Sequence, residues 1–385
     1  MSAAAGPFSG RTAAAASGIL AAAYVGLFLW REWTSRRSFK VASGVDGLVG
    51  ETAMVRIASL SEITQCEIYG KLEMCNPGGS AKDRVALAVV VEAERIGRLR
   101  PGHPDWVVEG TSGSTGISLA VLCRSRGYVA HIVVPDDTSA EKVALLEALG
   151  AVVHKVRPAG IADSGHYVNV ARRLAQEVND DPSNDTLAVF ADQFETPVNW
   201  RAHYTTTGPE IWRQANGQLD AFVTGAGTGG TVAGVSRFLK ENLPHVQVVV
   251  ADPPGSGIYN RIKFGVMFDT AEREGKRRRH QVDTLVEGIG LNRVTANLAE
   301  ALPYIDDAER VSDADSLAMA HHLVKHDGLF VGSSSAVNCV ATYRLAKRLG
   351  PGHTLVTILC DSGSRHLSKF WAAELQDTEL LLDLK

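Results

Sequence analysis

The run Ala221-Phe222-Val223-Thr224-Gly225-Ala226-Gly227-Thr228-Gly229-Gly230-Thr231 leads from an apolar, strand-like segment through a glycine-rich turn into the helical pattern Val232 to Leu239. A strand, a tight turn and a helix in that order form the repeating unit of a parallel α/β sheet. The glycines let successive backbone N–H groups close around an anion, and the positive end of the following helix adds to the same potential, so the turn reads as a phosphate cradle. The same residues satisfy G-x-G-x-x-G, with Asp252 at the end of the next apolar run, Val246 to Ala251, which is the pattern of a dinucleotide site. The turn by itself does not separate the two.

Further apolar runs at Trp106–Val108, Ala130–Val134, Val152–Val156, Leu187–Ala191, Leu329–Val331 and Leu355–Cys360 alternate with helical patterns. That alternation predicts an α/β chain with mostly parallel sheet and crossover helices. Thr138 and Glu141 predict a capping box ahead of Val143, Leu146 and Leu149. At 385 residues, 45% of them hydrophobic, the chain can bury two cores, and its net charge of −4 gives no reason to expect a nucleic acid partner.

Two more turns carry chemistry. Thr111-Ser112-Gly113-Ser114-Thr115-Gly116 follows an apolar run and leads into Ile117 to Leu122, so hydroxyls and unpaired N–H groups gather at a helix start in a pocket suited to a carboxylate. Asn76-Pro77-Gly78-Gly79-Ser80-Ala81-Lys82-Asp83-Arg84 presents a lysine at another helix start, where burial and the helix-end charge keep an amine partly neutral and able to form a Schiff base. A nicotinamide enzyme has no evident task for either turn.

Taken together, and joined in the same order by Val134–Lys142, Gln193–Trp200, Thr206–Trp212 and Val286–Gly290, these segments resemble the cysteine synthase and cystathionine β-synthase family of fold-type II pyridoxal-phosphate enzymes, over most of residues 46 to 370. The resemblance implies a tryptophan synthase β-like fold of two three-layer α/β domains with mostly parallel sheets. Residues 85–194 would form a small substrate-binding domain, and residues 41–84 with 195–385 a large cofactor-binding domain. It implies that Lys82 holds pyridoxal 5'-phosphate as an internal aldimine and that Gly227, Thr228, Gly229, Gly230 and Thr231 bind its phosphate. Ser334, in Gly332-Ser333-Ser334-Ser335-Ala336, would face the pyridine nitrogen, where a neutral hydroxyl fits β-elimination and replacement better than transamination. Thr111, Ser112, Ser114 and Thr115, with Gln193, would hold the substrate.

Two residues depart from the family pattern. Ser114 stands where the family has an asparagine against the cofactor's ring oxygen. Ser335 stands where a glycine is common, which is expected to narrow the floor of the site. The implied reaction is β-replacement through an α-aminoacrylate, making L-cysteine from O-acetylserine and sulfide. A related β-lyase or cystathionine β-synthase-like thiol exchange is the second reading, and a catalytically weak membrane-held sulfur sensor or scaffold the third. A homodimer is implied by the resemblance alone. No regulatory region is expected after the catalytic body, whose tail is a short acidic, leucine-rich segment.

Cys66, Cys75, Cys123, Cys339 and Cys360 form no C-x-x-C pair and read as buried reduced thiols. His322 and His326 have helical spacing but lack the glutamate of a zinc-protease motif, so no metal is expected. Lys276-Arg277-Arg278-Arg279-His280 reads as an exposed basic loop. From Thr12 to Trp30 the chain is uncharged and apolar, enough for a helix of roughly 28 Å against a bilayer core of about 30 Å. Arg31, Arg36, Arg37 and Lys40 follow it, so a single-pass anchor with the body in the cytosol is expected, at the mitochondrial outer membrane, with the endoplasmic reticulum or the mitochondrial matrix as alternatives. That arrangement resembles the membrane-anchored cysteine synthase 2 type of fungi.

Overall fold

In the strand Ala221–Gly225, Ala221 and Val223 pack into one apolar cluster and Phe222 into another, so the strand is buried on both faces. Val249 and Ala251 against Val248 and Val250, and Leu355 and Leu359 against Val356 and Ile358, divide in the same way. Strands covered on both sides read as continuous apolar runs, which is why the sequence shows them plainly. The computed structural model describes residues 41–269 and 284–376, with Leu380 and Leu384. The expected anchor at Thr12–Trp30 and the basic run Lys276–His280 lie outside the described residues. No described helix is long and apolar enough to cross a membrane.

Among the described residues, ten strands form two sheets. They are β1 (Met54–Arg56), β2 (Glu67–Leu72), β3 (Trp106–Gly110), β4 (Val129–Pro135), β5 (Val152–Val156), β6 (Ala188–Phe190), β7 (Ala221–Gly225), β8 (Gln247–Asp252), β9 (Asp307–Arg310) and β10 (Thr354–Leu359). The six-stranded sheet runs β1-β2-β10-β7-β8-β9 and the four-stranded sheet β5-β4-β3-β6. Every pairing is parallel except β1 with β2.

Six helices frame the cavity described below: α1 (Lys82–Arg95), α2 (Ser114–Arg126), α3 (Ala140–Ala148), α4 (Tyr167–Asp180), α5 (Gly230–Asn242) and α6 (Ser333–Leu349). Around the four-stranded sheet, Val107, Ile132 and Val134 pack against Val89 of α1 and Leu119 and Leu122 of α2. On the larger sheet, α6 covers one face through Val337 and Val340, and α5 the other through Val232, Val235 and Leu239. Each such side chain, fully buried, stabilises the fold by about 1.5–3 kcal/mol. All of these elements belong to one compact unit that begins at Gly44.

Three sequence expectations fail. Leu329–Val331 is not a strand: only Val331 pairs, in an isolated bridge with Ser362. The helix after Pro135 is capped by Ser139, whose hydroxyl accepts from Lys142 N, one residue later than the expected Thr138 cap. Thr138 Oγ1 is left buried without a hydrogen bond. Not every cysteine is buried, since Cys75 is exposed and Cys360 half-buried.

Candidate active site

The three turns singled out in the sequence lie at the carboxyl ends of parallel strands or beside them, where open α/β sheets place ligands. β3 ends at Gly110 and hands over to α2 through Thr111–Gly113, and β7 ends at Gly225 and hands over to α5 through Ala226–Gly229. Together with Ser80–Lys82 at the start of α1, they line one cavity of about 670 Å³. Lys82, Thr111, Ser112, Ser114, Thr115, Gln193, Gly227, Thr228, Gly229, Thr231 and Ser334 all face it. Gly230 belongs to the same turn but is buried behind it.

The glycine-rich turn is shaped by what surrounds it. A Cβ at Gly227 would stand 2.1 Å from the Gly288 carbonyl oxygen, one at Gly229 2.5 Å from Leu298 N, and one at Gly230 1.8 Å from Asn199 Oδ1. Gly229 also has φ +92°, in the left-handed region that favours glycine. It is the N-cap of α5 and offers no side-chain cap, so the first N–H groups of the helix are left for a ligand. Thr228 Oγ1 accepts from Asn199 Nδ2 at 2.9 Å, and Thr231 Oγ1 lies 3.2 Å from His203 Nε2. Burial, and then the charges of Arg84 and Lys82, hold the His203 imidazole well below its ordinary pKa. A dianionic phosphate fits this cradle of glycines, hydroxyls and free donors.

Lys82 is the first residue of α1 and half-buried. Burial lowers its amine's pKa, against the opposing pull of Cys360, Asp361 and Glu73. Its helix is fixed two residues on by Arg84, which donates to both oxygens of Glu73 at 2.7 Å and to both oxygens of Glu210 at 2.6 and 2.8 Å. Lys71 adds a 2.6 Å ion pair to Glu210. Burial alone would raise the Glu210 carboxyl, but Arg84 and Lys71 outweigh it and hold it at about 2. Asp83 accepts from Gly78 N at 2.5 Å and from the Ser118 hydroxyl, tying the lysine's turn to α2.

In the hydroxyl-rich turn, Thr115 Oγ1 donates to Gln193 Oε1 at 2.6 Å, Thr111 Oγ1 accepts from Gly113 N at 3.2 Å, and Ser112 is exposed to the cavity. Beneath it lies Glu109, which accepts from Gly110 N at 2.9 Å and Gln193 N at 3.2 Å and is pushed up to about 8 by burial. Gly110 lets α4 approach: a Cβ there would come 2.6 Å from Val168 Cα, and this approach brings His166 and Tyr167 into the cavity wall. Ser114 Oγ accepts from Arg365 Nη1 at 3.4 Å.

Ser335 does not narrow the cavity floor. Its hydroxyl accepts from Cys360 N at 2.8 Å and anchors the end of β10, while Ser334 lines the cavity beside it. Asp252, the acidic residue of the dinucleotide reading, is fully buried and accepts from Tyr259 N at 2.7 Å. Burial pushes its carboxyl up to about 6. Sequence reading missed Cys360, Asp361, Arg365, His366, Glu287 and Lys142, which also line the cavity. Glu287 and Lys142 fall in the segments Val286–Gly290 and Val134–Lys142, but none of the six side chains has a pattern that points to the cavity. The Cys360 thiol is pushed up to about 11 by burial.

A profile of the pyridoxal-phosphate-dependent enzymes matches residues 45–361. The cysteine synthase 2 of Schizosaccharomyces pombe is 58% identical, over 87% of this chain and 85% of its own length. A putative mitochondrial cysteine synthase of Saccharomyces cerevisiae is 55% identical, over 92% and 90%. Among solved structures, O-ureido-L-serine synthase superposes with a TM-score of 0.73 at 30% identity, over 89% of this chain and 99% of that one.

Proposed function

Because the chain belongs to the pyridoxal-phosphate-dependent enzymes, we propose that it forms L-cysteine by β-replacement on O-acetylserine with sulfide. The observation that carries this reading is the meeting of a half-buried lysine, a phosphate-type cradle and a carboxylate-type pocket on one cavity. Lys82 is the residue to hold the cofactor's aldehyde carbon, Gly227 to Thr231 its phosphate, and Ser334 its ring nitrogen. When bound, the cofactor supplies an electron sink for the negative charge that develops at the substrate's α-carbon.

The chain's own residues do the rest. The substrate's carboxylate sits against the Thr111–Thr115 turn, oriented by the Thr115–Gln193 hydrogen bond. The Lys82 amine, made less basic by burial, takes the α-proton and later returns it to the same carbon. A neutral serine at position 334 leaves the ring nitrogen without a carboxylate partner, which favours loss and replacement of the β-substituent over transamination.

The purified protein, given O-acetylserine and then sulfide, is expected to release acetate and then cysteine. The Lys82→Ala variant is expected to do neither. Cofactor colour without acetate release would end this reading.

The same proposal places the chain as a homodimer at the mitochondrial outer membrane, body toward the cytosol. Support for the location comes from the uncharged run Thr12–Trp30 and the basic residues after it. Resistance to alkaline extraction of mitochondria, with the body open to added protease, is the expected result. Recovery with microsomes or behind the outer membrane would overturn the location, and a single-chain mass in detergent would overturn the dimer.

A further inference from the structure

Two imidazoles line the cavity, His166 and His366. His166 caps the start of α4, its Nδ1 accepting from Val168 N at 3.2 Å. His366 is arranged for chemistry. Its Nε2 lies 2.9 Å from Asp361 Oδ2, and its Nδ1 faces Glu287 at 3.9 Å, too far for a hydrogen bond. Both His366 and Asp361 are buried. A carboxylate on one ring nitrogen fixes the tautomer with the proton there and leaves the other nitrogen as an acceptor, the logic of an acid-oriented general base.

The fold reserves room for this pair. A Cβ at Gly332 would stand 2.1 Å from Asp361 Oδ1 and 2.6 Å from His366 Nε2, so only glycine fits before α6. Asp361 Oδ1 is buried with no hydrogen-bond partner among the described residues. The backbone of Asp361 pairs with Ser80, two residues before Lys82, and its charge acts on the Lys82 amine. Outward from His366, Glu287 pairs with Lys142 of α3 at 2.8 Å and approaches Lys369 at 4.0 Å. Among the described residues, Asp361, Glu287, Lys142, Lys369, Lys82 and the neighbouring Arg365 are thus the charged groups around the imidazole.

We propose that His366 is the base that takes the proton of the incoming sulfur acceptor, with Asp361 as its positioning residue. The inference rests on the cysteine-forming reading. In the second half of that reaction Lys82 already carries the α-proton and cannot accept another. The sulfur electron pair forms the bond to the β-carbon as the α,β double bond left by loss of acetate breaks toward the α-carbon, the S–H proton passes to His366 Nδ1 and leaves to solvent past Glu287, and Lys82 returns its own proton to the α-carbon. Atoms and charge balance with no further reactant.

The test uses the full-length holoenzyme and separates the two halves: acetate release on mixing with O-acetylserine, then cysteine formation on adding sulfide. In His366→Gln, acetate release is expected to stay within about twofold, while kcat/KM for sulfide falls tenfold or more below about pH 7 and recovers as pH rises and the acceptor ionises by itself. Asp361→Asn is expected to show the same pH-dependent loss. Added imidazole should restore the sulfide step in His366→Gln alone. A loss equal in both halves, or equal at every pH, or no rescue by imidazole, would reduce the pair to a structural contact and overturn the proposal. If the parent releases no acetate, the cysteine-forming reading itself falls; if it turns over and only the pH signature is missing, the proton role alone falls.

Discussion

Ser80 and Asp361 pair backbone to backbone in an isolated antiparallel bridge, so the turn that delivers Lys82 is fastened to the residues that leave the middle of the larger sheet. The lysine therefore does not depend on its own turn alone for its position. It is held from one side by this bridge and from the other by the Arg84 ion pairs.

Arg84→Met is expected to cost about 3–5 kcal/mol, because Glu73 and Glu210 would stay buried with their main counter-charge removed. Denaturant unfolding of the cofactor-loaded protein measures this. A loss below about 1 kcal/mol would place these pairs with ordinary surface contacts.

Gly227→Ala is expected to weaken cofactor binding at least tenfold, about 1.4 kcal/mol or more, since the new methyl meets the rigid Gly288 carbonyl and pushes the cradle open. Titration of the cofactor-free protein, followed by absorbance, gives the affinity directly.

Thr115→Val removes the buried donor to Gln193 Oε1 while keeping the side-chain shape. An unsatisfied buried acceptor costs about 1–3 kcal/mol, so KM for the amino-acid substrate is expected to rise roughly tenfold with cofactor affinity unchanged. A change in cofactor affinity instead would move Thr115 from the substrate pocket to the cofactor's support.

Glu109 gives a pH signature in stability. Its carboxyl is held neutral up to about 8 in the fold, against 4.5 in the unfolded chain. Between those values the folded chain keeps a proton that the unfolded chain has released, so stability falls as pH rises across that window. Glu109→Gln should flatten the decline in melting temperature from about pH 5 to pH 8, whatever it does to the absolute value. A decline of unchanged slope would show that the carboxyl titrates normally.

The sequence made β3, β4, β7, β8 and β10 legible because they are buried on both faces, and β5 and β6, at the two edges of the smaller sheet, by their short apolar runs, although Val152 and Lys155 of β5 are exposed. It hid β9, whose residues Asp307-Ala308-Glu309-Arg310 are those of a sheet edge, β2, whose Glu67, Gly70 and Lys71 break the apolar run, and the short β1. Leu329–Val331 misled because an apolar run need not be a strand: Phe330 is exposed, and only Val331 is fully buried and paired. The three turns of the site were legible because glycine and hydroxyl residues between a strand and a helix have few other uses. Asp361 and His366 were not, since their meaning comes only from the bridge to Ser80 and the space left by Gly332.

The position of β2 beside β10 has a further consequence for how the chain is made. Trp106 to Phe190, which supplies all four strands of the smaller sheet, leaves the ribosome early and can assemble with its helices while synthesis continues. Glu67–Leu72 emerges earlier still, yet its parallel neighbour β10 is the last of the described strands to be translated. Until β10 arrives, the nascent protein carries an open apolar strand edge next to the future lysine turn, so chaperone demand should be greatest late in translation and in chains truncated before Thr354.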